Sequence, residues 1–143
     1  MAIPIARFTL ERHAGPYERW PSRSRLFADG RATATRVPGC SLLHQFRMDD
    51  GYLLVTDYDC PFEEVTAFTL LDERLRVVAE RKIGWMYNTF LLTGLRWLDG
   101  RRLVASFGDD WQVLVTIRRR GFPLLHPRLK LQRLRGQAPA PAG

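Results

Sequence analysis

The sequence predicts an all-β protein, and three observations carry that reading. Alternating and β-branched runs separated by turn residues fill most of the chain. No stretch of a dozen residues keeps the apolar spacing of three and four that a helix face requires. Asp-Gly dipeptides recur between strand-like runs, at Asp29-Gly30, Asp50-Gly51 and Asp99-Gly100. A tight hairpin turn needs positive φ, which Gly, Asn and Asp tolerate best, so each dipeptide marks a hairpin.

The predicted strands follow in order. Residues 6–11 open the series, and 25–28 and 31–37 flank Asp29-Gly30. Residues 41–48 and 52–58 flank Asp50-Gly51, and 65–71 and 75–81 are joined by the looser Asp72-Glu73-Arg74. Residues 89–98 and 101–107 flank Asp99-Gly100, after which Gly108-Asp109-Asp110 leads into 111–117; residues 129–134 close the set. In 111–117 the alternation is clearest, with Trp111, Val113, Val115 and Ile117 on one face. Neighbours in sequence therefore pair antiparallel, as a meander.

Sliding the chain against itself by 49 residues matches Leu42-Leu43-His44-Gln45-Phe46-Arg47-Met48-Asp49-Asp50-Gly51 to Leu91-Leu92-Thr93-Gly94-Leu95-Arg96-Trp97-Leu98-Asp99-Gly100 without a gap. Leu54-Val55 then falls on Leu103-Val104, and Tyr58 and Phe62 fall on Phe107 and Trp111. A period near 50 with four strands per unit resembles a β-propeller blade, a resemblance of fold that carries no chemistry. Two and a half such units fall short of a closed ring. The expected fold is an antiparallel meander of two blade-like four-stranded sheets plus an N-terminal hairpin, in an open sheet stack or sandwich. Its 143 residues make one domain over 1–136, with repeat units at about 41–84 and 90–135. The Pro/Ala/Gly-rich residues 137–143 are expected to be disordered.

With 22 Lys and Arg against 15 Asp and Glu, the formal charge is +7, which favours an acidic partner by long-range attraction. Only Lys82 and Lys130 are lysines, an arginine bias that a GC-rich genome also produces. The first residues carry no charged leader with a long apolar run, and no stretch approaches a membrane helix, so a cytoplasmic address without membrane contact is expected. Cys40 and Cys60 read as small side chains in a reducing compartment.

His13, His44 and His126 lie far apart, none at a metal-ligand spacing from another His or a Cys. His44 follows the alternation of Leu42 and Phe46, as a histidine at the edge of the core. Neither a nucleophile elbow nor a phosphate loop is present, so no catalytic residue, cofactor or metal is expected. The densest polar cluster is Asp57-Tyr58-Asp59-Cys60-Pro61-Phe62-Glu63-Glu64, echoed one repeat later by Asp109-Asp110-Trp111. Its carboxylates can dock on a basic surface, act as acid and base, bind a hard cation, or simply stay solvated beside strand edges. Aromatics at Pro16-Tyr17-Glu18-Arg19-Trp20-Pro21 and Trp85-Met86-Tyr87 serve either as interface anchors or as lids on a sheet end. The basic residues Arg118, Arg119, Arg120, Arg128 and Lys130 form an alternative surface for nucleic acid, without the interleaved aromatics of a stacking platform.

The stretch from Gly51 through Glu64 and the following Leu70-Leu71-Asp72 resembles small bacterial proteins of toxin loci, and the chain resembles, in general type, the immunity proteins of interbacterial toxins. That resemblance implies a non-enzymatic module that neutralises one cognate toxin by direct binding. The candidate partner-binding residues are Asp57, Tyr58, Asp59, Phe62, Glu63, Glu64, Asp109, Asp110 and Trp111, with the basic surface as the alternative. A homodimer is left open.

Overall fold

The computed structural model describes residues 2–58, 63–86, 92–108, 111–119 and 128–134. Its strands are β1 (Ile3–Pro4), β2 (Phe8–Leu10), β3 (Arg23–Ala28), β4 (Arg31–Pro38), β5 (Ser41–Met48) and β6 (Gly51–Asp57). They continue as β7 (Glu63–Asp72), β8 (Val77–Met86), β9 (Gly94–Trp97), β10 (Arg102–Phe107), β11 (Trp111–Ile117) and β12 (Leu129–Leu134). One 3-10 turn, Tyr17–Arg19, is the only helical element among the described residues. All pairings are antiparallel and form three open sheets, ordered β2-β3-β4, β1-β5-β6-β7-β8 and β12-β11-β10-β9.

The meanders β5 to β8 and β9 to β12 are the two units of the internal repeat. The N-terminal hairpin β3–β4 gains β2 and becomes a separate sheet, the first in chain order. β1 adds to the edge of β5, pairing Ile3 with Arg47 and Pro4 with Phe46. Two residues, one of them proline, give no periodic signal from which such a strand could be read. Of the strand predicted over 89–98, only Gly94–Trp97 forms: Leu92, Thr93 and Leu98 are described and are not in the strand, and residues 89–91 lie outside the described residues, as does the 137–143 tail.

The five-stranded sheet is the middle layer. Phe46, Met48, Leu53, Val55, Phe68 and Leu70 on one of its faces pack on Leu103, Ala105, Phe107, Val113, Val115, Ile117 and Leu129 of the third sheet. On its other face Tyr52, Leu54 and Leu71 pack on Phe8, Leu26, Ala28 and Val37 of the first sheet. β6 is consequently buried on both sides from Gly51 to Thr56, which its unbroken apolar run permits and a half-solvated strand would not show. Gln45 ties the layers further: its amide accepts from Phe8 N (2.8 Å) and donates to Phe8 O (3.0 Å), doing for β2 what a paired strand would do.

Two sequence expectations need correction. Asp29-Gly30 forms the predicted two-residue turn, with φ of 53° and 80°. The next hairpin instead turns at Asp49-Asp50, with Met48 opposite Gly51. Gly51 is needed for close approach, since a Cβ there would collide with the Leu71 carbonyl. At Asp99-Gly100 the turn is longer, with Leu98 N bonded to Arg102 O at 2.8 Å. The second correction concerns His44. A β-bulge between Leu42 and His44 inserts Leu43 as an extra residue, so Leu42 faces the first sheet while Phe46 faces the third. His44 keeps the face of Phe46 and not that of Leu42, its ring stacked 6.1 Å from that core ring while its own outer side stays exposed.

The chain passes from the first sheet to the middle one through Gly39 and Cys40. Gly39 has φ of 91°, and a Cβ there would stand 2.6 Å from the Asp57 carbonyl, so only glycine fits.

Candidate functional site

The turns β3–β4, β5–β6, β7–β8 and β9–β10 gather at one end of the stack, and charge is concentrated there. Arg101, from the β9–β10 turn, pairs with both Asp49 and Asp50. Arg119 meets Asp49 at 3.0 Å and Arg128 meets Asp50 at 3.2 Å. Toward the first sheet, Arg7 pairs with Asp29 at 3.0 Å and donates to the Tyr52 hydroxyl at 2.6 Å. Arg47 lies over the Tyr52 ring and pairs with Glu73 at 2.6 Å. Of the alternative basic surface, Arg119 and Arg128 are thus held by carboxylates of this same chain. Arg118 is half-buried after β11, Lys130 is exposed on β12, and Arg120 lies outside the described residues.

The described residues that flank the carboxylate-rich segments lie at the opposite end. Asp57 closes β6, and its carbonyl accepts from Cys40 N at 2.9 Å. The Tyr58 carbonyl accepts from the Cys40 thiol at 2.9 Å, and Lys82 Nζ lies 5.5 Å from the Tyr58 ring centroid. Glu63 and Glu64 open β7, opposite Met86 and Trp85 of β8. Trp111 opens β11 beneath the Arg133 guanidinium, 3.4 Å from its ring centroid, and packs partly on the core. Asp59, Phe62, Asp109 and Asp110 lie outside the described residues. The aromatic loop before β3 is held to itself, Trp20 Nε1 donating to Gly15 O at 3.1 Å.

One serine and histidine do meet, yet with the wrong polarity for a nucleophile. His13 Nε2 is 2.8 Å from Ser24 Oγ, and the fully buried Ser24 hydroxyl donates its only proton to Gly39 O at 2.6 Å. Ser24 must therefore accept from His13, so the pair braces the crossover at Gly39 instead of activating an oxygen. Among the described residues no group of three His, Cys, Asp or Glu could hold a metal ion, and no helix is long and apolar enough to cross a membrane.

A further open surface is one the sequence did not single out. β8 is the last strand of the middle sheet, ten residues long, hydrogen-bonded to β7 on one side and to no strand on the other among the described residues, with β12 of the third sheet close by. A bulge at Val78 leaves Val77 and Val78 each 37% exposed, half of the four exposed large apolar residues described. They line a groove of about 770 Å³ together with Asp49, Asp50, Asp72, Glu73, Arg74, Arg76 and Arg128. Its wall is set by a rigid turn. The Asp72 carboxylate accepts from Arg74 N and Arg76 N, both at 2.9 Å, and the bond from Arg76 N is the main reason its pKa lies below the ordinary aspartate value. Leu75 holds φ of 66°, about 1–2 kcal/mol of backbone strain for a non-glycine residue. It is retained by packing on the inner core and by the Thr35 hydroxyl, which donates to its carbonyl.

No protein-family model, curated protein or solved structure matches this chain.

Proposed function

We propose that this chain is a non-enzymatic protein-binding module that takes one specific protein as its partner, and, following the resemblance carried by residues 51–64 and 70–72, that the partner is a toxin it neutralises by direct contact in the cytoplasm. The observation that carries the binding reading is the β8 margin, where exposed Val77 and Val78 sit in a groove rimmed by charged side chains. An apolar centre inside a polar, charged rim is the anatomy of protein interfaces, and a preformed rim lowers the ordering cost of association. The excess positive charge of the chain adds attraction for an acidic partner.

The test is affinity capture of the tagged protein from native lysate, with and without nuclease and at low and high salt, followed by mass spectrometry. One stoichiometric protein surviving both treatments is the expected result, and mixing it with the purified chain should suppress its toxic activity. Recovery of nucleic acid alone, lost with nuclease and salt, would replace this reading with the basic-surface one.

A further inference from the structure

We propose that the edge of β8 left open among the described residues receives an extended acidic segment of the partner as an added strand, its carboxylates meeting Arg74, Arg76 and Arg81 and one apolar side chain entering the groove beside Val77 and Val78. This deepens the protein-binding reading and rests on it.

The first argument is the backbone. An edge strand presents a row of main-chain donors and acceptors to any extended chain that can lie beside it. β8 offers ten residues of such an edge on the middle and largest sheet. The second argument is charge. Glu80 is the only carboxylate on β8, and Arg23 of β3 grips both of its oxygens. In the preceding turn Asp72 is bonded to its own backbone, and Glu73 to Arg47. The acids of this margin are thus committed, whereas Arg74, Arg81 and Lys82 are exposed and make no ion pair among the described residues, and Arg76 meets Asp72 only at 3.4 Å.

The same cations decide what is refused. A second copy pairing antiparallel in the register centred between Arg81 and Lys82 would set these cations against each other, and like charges directly opposite each other destabilise a strand pair. A basic strand is refused for the same reason. An acidic one is admitted, so repulsion of the wrong partner and attraction of the right one come from the same side chains.

The probes are peptides the length of β8: one alternating Glu and Val, one alternating Lys and Val, and one of Glu and Val with prolines where backbone donors are needed. Binding is read by fluorescence anisotropy and the site by amide hydrogen exchange. The Glu/Val peptide should bind, with slowed exchange confined to β8, and the other two should bind at least about tenfold more weakly. Arg74→Glu with Arg81→Glu should weaken the Glu/Val peptide by about tenfold or more while leaving the thermal midpoint near that of the parent. Equal binding of the proline peptide, protection elsewhere, an unaffected double variant, tighter binding of a single-stranded oligonucleotide, or dimerisation through β8 would each overturn the proposal. A captured partner that binds parent and double variant alike overturns the edge assignment but leaves the protein-binding reading standing.

Discussion

The hairpins β5–β6 and β9–β10 share one stretch of sequence at a 49-residue offset and are built differently. In the first, Met48 pairs with Gly51; in the second, Trp97 pairs with Leu103 where strict equivalence would pair it with Gly100. A slip by an odd number of residues turns a strand's side chains to the other face. Phe46 and Met48 therefore point forward to the third sheet, while their equivalents Leu95 and Trp97 point back to the second, and Phe46 and Trp97 meet edge to face at 5.1 Å. The middle sheet has a neighbour on each side, and among the described residues the last sheet has one. The repeated sequence specifies that a hairpin forms, and the available neighbour decides which way it faces.

The comparison is broken most strongly at Phe46. Phe46→Ala should cost about 3–5 kcal/mol, whereas Leu95→Ala, at a half-buried site in the same core, should cost about 1–2, as read from urea midpoints at constant slope. Gly51→Ala comes next, at about 3 kcal/mol, because its methyl meets the Leu71 backbone, which cannot move without parting β6 from β7. Gln45 and Gly94 are equivalent positions with opposite demands. Gln45→Ala should lose about 1–3 kcal/mol with its two bonds to Phe8, while Gly94→Ala, whose methyl meets nothing within 4 Å, should stay within about 0.5 kcal/mol.

The last pair of equivalent positions is separated by pH. Glu80 falls on Leu129 in the repeat, one a charged tie to the first sheet and the other fully buried core. The hydrogen bond from Arg23 holds the Glu80 carboxyl below its ordinary pKa, against the opposing effect of partial burial. A carboxyl depressed in the folded state stabilises fully above its unfolded pKa and loses that contribution as pH falls through the folded value. Glu80→Gln should therefore cost about 1 kcal/mol near neutrality, and parent and variant should converge in stability at a pH below the carboxylate range.

Much of the fold was legible because its signals are local. The bounds of β5, β11 and β12 follow from apolar alternation between turn residues, and the repeat announced the two four-stranded units. The bulges at Leu43 and Val78 were not legible, since an extra residue leaves no mark on composition. Nor were the partners of Arg119 and Arg128, because the carboxylates they hold lie far back in the chain, in the β5–β6 turn. The β8 margin escaped for a different reason: Arg74, Arg76, Arg81 and Lys82 look like ordinary solvated charges until topology shows that β8 has no hydrogen-bonded outer neighbour among the described residues.

The two-residue passage through Gly39 and Cys40 bears on synthesis. Each sheet, apart from β1 on β5, is made of strands adjacent in sequence, so each can close as it leaves the ribosome. Until the middle sheet emerges, Phe8, Leu26 and Val37 have nothing over them, and such transiently bare apolar surface is where nascent chains aggregate. Because β5 begins directly after the crossover and the Gln45 amide clasps Phe8, the cover for the first sheet is the next part of the chain to be made.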